Sequence, residues 1–442
     1  MSIQPISIKN NFFYKGEAHW SPKGVCYQPE DEVDPISDNN EAIITELLNP
    51  LNPSSFVNLG INAIRVYQVD PTLEHTKVMT MLSNAGIYVL VGGVNKDVNV
   101  VTSGPDVFHG RLHQIADAFC QFDNVLGFSI GNEVIFPKRE SDGNWTNQGY
   151  EIPNKIRTAA KNMRNYMIDK KYRVIPIGVA IRDIPEFTIP AGKAYMCGDA
   201  SERMDFIGFN LQRWAGGSIE GKIGAYFTFC ESLQNSNPVP IILTEFGVNL
   251  KTLNPRQYKQ VPYLYGYQNV QPASGSSQIN MADIVSGGFA FRYEERSNDP
   301  GWGLVSRSGD KIDGAGFDDL SAAYKAVTTF KGTPNTIGTK ACDPSNPYVK
   351  GTDGNSITVT VKNYANVAIV VVQNGVQLAN LPAGSQSAPT SASVNVSDKY
   401  ELLIQQSVTF YSVCKVSANK LKNGVIIKND VKWGQNTSCN LS

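Results

Sequence analysis

The sequence predicts an α/β protein, a (β/α)8 TIM barrel with a smaller C-terminal β-sheet domain. Three observations predict it. Eight short apolar runs of strand length alternate with helical or loop segments through roughly the first 300 residues. Two of these runs deliver a glutamate at the C-terminal end, in Gly127-Phe-Ser-Ile-Gly-Asn-Glu-Val134 and Pro240-Ile-Ile-Leu-Thr-Glu-Phe-Gly247. From about residue 335 the chain turns to Gly/Thr/Pro/Asn punctuation between short β-prone runs.

Residues 3–20, carrying Ile6, Ile8, Phe12 and Phe13, read as a hairpin lid. The first barrel strand, 24–28, ends on polar Tyr27 and Gln28. A helical segment at 42–48 and a second at 54–59, set off by prolines, lead to strand 61–67 with Arg65 and Tyr67 near its end. Helix 73–85 stops at Gly86 before strand 87–91. A Gly/Asn/Val-rich loop and a helix over 109–122 precede the fourth strand, 125–130, and Glu133 follows it. Then come a helix at 153–170, strands at 173–178 and 205–210, a segment at 219–233, and strands at 240–245 and 286–293. Strand-like runs at 356–362, 367–373, 391–396, 400–404 and 408–413 build the second domain, so the division is 1–335 and 336–442. Tyr400, Phe410 and Tyr411 are the only aromatics in those runs, which leaves carbohydrate binding and simple packing both open for this domain.

With 442 residues and 41% hydrophobic content, the chain can bury a substantial core. A net charge of -1 with no Lys/Arg block argues against nucleic acid or an anionic membrane surface, and a neutral polymer fits better. His19, His75, His109 and His113 show no metal-ligand spacing. The seven cysteines include no CxxC pair, so no zinc site is expected. No targeting segment is visible in the sequence as given, while sequons at Asn144, Asn395 and Asn436 fit a secreted protein.

The two strand-end glutamates carry the chemistry. Parallel barrels build active sites at the C-terminal ends of their strands. Glu133 and Glu245 would there face each other across one pocket, the arrangement of a paired-carboxylate glycosidase. The Asn132 amide beside Glu133 can bind a sugar hydroxyl.

A set of motifs in order resembles the fungal glycolipid-anchored β-1,3-glucanosyltransferases of glycoside hydrolase family 72. They are Gly24-Val-Cys-Tyr-Gln-Pro29, Gly60-Ile-Asn-Ala-Ile-Arg-Val-Tyr67, Phe122-Asp-Asn-Val-Leu-Gly-Phe-Ser-Ile-Gly-Asn-Glu-Val134, Cys197-Gly-Asp199, Thr244-Glu-Phe-Gly247 and Ser286-Gly-Gly288. The resemblance covers residues 5–332 and implies a retaining mechanism on β-1,3-glucan donor and acceptor chains, with no cofactor. It makes Glu133 the general acid/base and Glu245 the nucleophile. Tyr27, Gln28, Arg65 and Tyr67 would shape the floor, Arg65 orienting the nucleophile, and Asn132 would hold the sugar 2-hydroxyl. Asn210 and Tyr293 would line the cleft, while Trp214 and Trp302 are either glucose-stacking platforms or core. Gln212 stands where the family has Tyr, and Phe291-Arg292-Tyr293 where it resembles Tyr-Glu-Tyr. The resemblance further implies a disulfide between Cys197 and Cys342, and Cys414 with Cys439 is a local pairing. Cys26, Cys120 and Cys230 are left as buried thiols.

A β-glucan endo-hydrolase of the same fold and a catalytically silent glucan-binding surface protein remain as alternative readings. The family context places the chain at the cell surface or wall, held to a membrane only through an anchor outside this sequence.

Overall fold

The computed structural model describes residues 3–441, apart from 142–144, 147, 214–218, 236, 273–274, 336, 339, 351–355, 364–367, 374–375, 386, 398–400, 407–411, 418–424 and 428–439. Eight parallel strands close into a barrel in sequence order: β1 (Lys23–Cys26), β2 (Ala63–Val66), β3 (Tyr88–Gly92), β4 (Val125–Asn132), β5 (Ile177–Arg182), β6 (Phe206–Leu211), β7 (Ile241–Phe246) and β8 (Val285–Ala290). Pairing of β8 with β1 completes the ring. Helices cover the outside, so β2, β3, β6, β7 and β8 are buried along their whole length. That two-sided burial is why the strands read as continuous apolar runs instead of alternating ones.

Several sequence expectations shift: the helix expected at 109–122 spans Pro105–Phe119, and the strand expected at 286–293 spans Val285–Ala290. The fifth strand begins at Ile177, four residues later than expected, and reaches Arg182. Pro176 has no N–H for a ladder, and pairing with β4 starts only after it, at Ile177 opposite Phe128. The connection from β5 to β6 contains a helix, Pro185–Met196, that the pattern does not show. It carries Pro190 internally and buries Phe187, Ala191, Gly192, Tyr195 and Met196 on several sides, so it has no simple apolar stripe.

The segment at 3–20 is a three-stranded antiparallel sheet, Ile6–Lys9, Phe12–Lys15 and Ala18–Trp20, and it is not a lid over the carboxylates. The Phe13 ring lies 6.2 Å from Phe206, and the Tyr88 hydroxyl donates to the Gln4 carbonyl at 2.5 Å. Tyr88 and Phe206 open β3 and β6, so this sheet plugs the N-terminal mouth of the barrel. Phe13 joins Leu90, Leu126, Phe206, Ile242 and Phe289 in one core cluster. Gly178 makes room for it: a Cβ there would sit 2.4 Å from the Phe206 ring.

The chain divides into two compact units, one of residues 1–136 with 159–343 and the other of 137–158 with 344–442. The second unit holds two four-stranded sheets. One runs Thr390–Ser397, Ser356–Asn363, Val425–Ile427 and Asn440–Leu441, and the other Val376–Leu381, Ile369–Gln373, Glu401–Gln406 and Ser412–Ser417. Its internal segment is tied in by the Tyr348 hydroxyl, which donates to Gln148 O at 3.1 Å, and by edge-to-face packing of Tyr150 on Tyr348. Tyr400, Phe410 and Tyr411 lie outside the described residues.

In the first unit, Cys197 and Cys342 form a disulfide across 145 residues of sequence. Cys26, Cys120 and Cys230 are buried free thiols. Cys439 lies outside the described residues, and with it the pairing to Cys414.

Candidate active site

Four strand ends build the site. β4 ends at Asn132, and Glu133 follows it in the left-handed region with φ 52°. Its N–H donates to Ala180 O on β5 at 2.9 Å, which pins this turn. β7 carries Thr244 and Glu245, and β6 places Asn210 in register with Glu245. Residues two apart along an extended chain share a face, so Gln212 follows Asn210 into the site, Asn210 reaching Glu133 and Gln212 reaching Glu245. β2 brings Arg65, with Tyr67 one residue past its end.

Glu245 is the more enclosed carboxylate, its side chain 7% exposed against 28% for Glu133. Oε1 of Glu245 accepts from Arg65 Nη1 at 3.1 Å and from the Tyr67 hydroxyl at 2.7 Å, and Oε2 accepts from Gln212 Nε2 at 3.1 Å. Burial pushes the Glu245 carboxyl up to about 6; Arg65 pulls it down, Glu133 pushes it up, and the bonds from Tyr67 and Arg65 favour the ionised form. Beneath it, burial raises the Cys26 thiol to about 12 despite nearby Arg65, so this group stays neutral.

Asn210 links the two carboxylates. Its Oδ1 accepts from Thr244 Oγ1 at 2.8 Å and Arg65 Nη1 at 3.4 Å, which fixes the amide so that Nδ2 points to Glu133 Oε1 at 2.8 Å. Asn132 Oδ1 accepts from Arg65 Nη2 at 2.8 Å and from Asn210 Nδ2 at 3.2 Å. The Asn132 amide nitrogen has no partner among the described residues and remains available to a ligand hydroxyl.

The sequence profile of the glucanosyltransferases, glycoside hydrolase family 72, matches residues 1–328. The chain belongs to this family. The 1,3-beta-glucanosyltransferase gas2 of Schizosaccharomyces pombe is 28% identical over 89% of this chain and 82% of its own length. The 1,3-beta-glucanosyltransferase gel1 of Aspergillus fumigatus is 29% identical over 77% of this chain and 70% of its own. Among solved structures, Saccharomyces cerevisiae Gas2p in complex with laminaritriose and laminaritetraose superposes with a TM-score of 0.63 at 25% identity. That match covers 80% of this chain and 76% of the other.

Within this family 72 member, the structure gathers Arg65, Tyr67, Asn132, Asn210 and Gln212 around Glu133 and Glu245. Gln28 sits one step out: its Oε1 accepts from the backbone N–H of Tyr67 at 3.0 Å and of Gln68 at 3.3 Å, so it holds the turn that presents the Tyr67 hydroxyl. Tyr27 and Tyr293 make no contact with either carboxylate. They pack edge to face against Phe56 at 5.3 and 4.9 Å, and the Tyr293 hydroxyl donates to Ser54 O. Trp302 packs on Phe291 at 5.2 Å, and Trp214 lies outside the described residues. Arg292, between Phe291 and Tyr293, pairs with Asp299 at 3.1 Å.

Two contributors escaped the sequence reading. Thr244 was visible inside its motif but has its role only through the fold, as the donor that orients Asn210. Arg182 stacks over the Phe136 ring at 4.0 Å, with Nε 4.0 Å from Glu133 Oε2. The signal for it was the apolar run continuing past Gly178 to Ile181, which carries the strand to Arg182.

Proposed function

We propose that the chain is a retaining β-1,3-glucanosyltransferase in which Glu245 is the nucleophile and Glu133 the general acid/base. The observation that carries this assignment is the asymmetry of the two carboxylates. Three donors converge on Glu245, which favours its anionic form and aims it, whereas Glu133 accepts a single amide hydrogen bond and is open enough to exchange a proton.

A Glu245 oxygen attacks the anomeric carbon as its bond to the leaving chain breaks, and Glu133 protonates the departing oxygen. Glu133, now a carboxylate, takes the proton from the 3-hydroxyl of an incoming glucan chain. That oxygen attacks the anomeric carbon and releases Glu245, so a new β-1,3 bond replaces the covalent ester. Two inversions give net retention. The laminari-oligosaccharides held by the yeast relative support β-1,3-glucan as donor and acceptor. Arg65, Tyr67 and Gln212 position the nucleophile, and the free amide of Asn132 meets the sugar 2-hydroxyl. The barrel, within 1–335, does the catalysis, and the β-rich 336–442 is accessory. The Cys197–Cys342 disulfide supports an extracellular, wall-facing location.

The test is incubation with an end-labelled β-1,3-gluco-oligosaccharide and separation of products by size. Products longer than the substrate, lost in Glu133→Gln and in Glu245→Gln, support the transferase. Shorter products alone make water the acceptor and the enzyme an endo-hydrolase. Binding without turnover makes it a silent glucan binder.

A further inference from the structure

A second cavity, of about 980 Å³, opens beside β1 between the helix Glu41–Leu48 and the loop 305–311. None of Glu133, Glu245, Tyr67 and Gln28 lines it. Its wall carries the carboxylates of Asp31, Glu32, Glu46, Glu294 and Asp310 against the cations of Arg307 and Lys311. Both cations are already engaged. Arg307 pairs with Asp31 and lies 3.7 Å from Glu30, and Lys311 binds Asp318 at 2.6 Å. Glu32 and Glu46 face the cavity with no ion-pair partner among the described residues, and Glu294 faces it with Arg307 and Arg296 near enough to favour its charged form but neither within ion-pair distance.

Tyr27 supplies the second, independent feature. It is 2% exposed and lines the cavity, yet its hydroxyl has no hydrogen-bond partner among the described residues. The hydroxyl is not sealed inside the protein: it opens to the cavity and offers its hydrogen bond to a ligand acceptor in place of water. Among the described residues no three acidic, histidine or cysteine side chains converge closely enough to hold a metal ion. The negative charge is thus spread along a wall, which matches several cationic groups carried on one extended molecule. Ile43, Leu47 and Pro53 add apolar surface for the faces of its rings.

We infer that this cavity binds an oligosaccharide bearing free amino groups, a short glucosamine-type chain. Its ammonium groups pair with Glu32, Glu46 and Glu294, and a ring or hydroxyl oxygen accepts from Tyr27. The tyrosine is what separates this ligand from a simple polyamine: an ammonium has donors only, so a polyamine offers the phenol no acceptor and leaves it to water. Acetylation of the amines removes the positive charge and with it the pairing.

Calorimetric titration of the full chain at low ionic strength and pH 6 tests this, with four probes: a glucosamine tetramer, its N-acetylated form, laminaritetraose and spermidine. The glucosamine tetramer is expected to bind at least tenfold more tightly than the other three. Glu294→Gln and Glu46→Gln are each expected to weaken it three- to tenfold, while Glu245→Gln leaves it unchanged because that residue lies outside the cavity. Unchanged transfer of laminari-oligosaccharide by Glu294→Gln and Glu46→Gln separates this site from the glucan-transfer reading. Equal binding of the acetylated tetramer, tighter binding of spermidine, indifference to both cavity substitutions, or no binding of the glucosamine tetramer would each overturn the inference.

Discussion

Arg65 and Glu245 form an ion pair of 3.1 Å whose side chains are only 2% and 7% exposed. Removing one partner of such a buried pair leaves an uncompensated charge and costs about 3–5 kcal/mol. Arg65→Gln is therefore expected to lower kcat/KM by roughly 100-fold or more and to reduce the melting temperature. It also moves the acid limb of the pH–rate profile upward, because the positive charge that favours ionised Glu245 is gone. A variant that keeps the wild-type acid limb would show that the guanidinium does not set the state of Glu245.

The pH dependence follows from the burial of Glu245. Its folded value, about 6, lies above its ordinary 4.5. Activity through an ionised nucleophile should fall as pH drops through about 6, a higher acid limb than a solvated glutamate gives. Stability moves the other way. The contribution of this group is complete below pH 4.5 and lost as pH rises through 6, about 2 kcal/mol in all. Urea unfolding of the wild type and of Glu245→Gln from pH 4 to 8 checks it: the stability difference between them should shift by that amount across this range.

Gln212 is the donor to Glu245 Oε2, at 3.1 Å. In Gln212→Leu that oxygen loses its donor, and kcat is expected to fall about tenfold with KM little changed, as for loss of an interaction that acts on the reacting group. Gln212→Tyr should recover most of kcat if a hydroxyl can reach the same oxygen. Steady-state kinetics on laminari-oligosaccharides, with the ratio of lengthened to shortened products, measures both.

Gly92 closes β3 against the carbonyl of Tyr67. A Cβ at that position would lie 1.9 Å from Tyr67 O, a backbone atom with no freedom to move aside. Gly92→Ala is expected to displace the turn that presents the Tyr67 hydroxyl to Glu245, lowering activity at least tenfold and costing about 1–3 kcal/mol of stability. Wild-type turnover in this variant would show that the turn yields without disturbing the hydroxyl.

The Cys197–Cys342 bridge closes a segment of 145 residues. Constraint of so long a loop in the unfolded chain is worth about 2–5 kcal/mol. The double substitution Cys197→Ser with Cys342→Ser should lower the melting temperature by several degrees and leave KM for glucan within about twofold, since neither residue touches the carboxylates. Thermal unfolding with and without reductant checks the same point on the wild type.

What the sequence by itself determined is the barrel and the two glutamates at its strand ends. Strands buried on both faces leave continuous apolar runs, and the glutamates ending β4 and β7 stand at fixed places after those runs, so local pattern was enough to place Glu133, Glu245 and Asn132 at strand ends. The tertiary structure decided how the remaining polar residues are shared out. Arg65 and Tyr67 turn inward to Glu245, while Tyr27 packs outside against Phe56 and faces the second cavity, although all three sit at strand ends. These strands are apolar on both faces, so the alternation that would mark inward and outward side chains is missing, and only pairing in the closed barrel decides which face each takes. The same holds for Arg182, carried to Glu133 because Pro176 delays the start of β5. The N-terminal sheet plugs the far mouth for a related reason: Phe13 finds the Phe206 ring only once the barrel has closed.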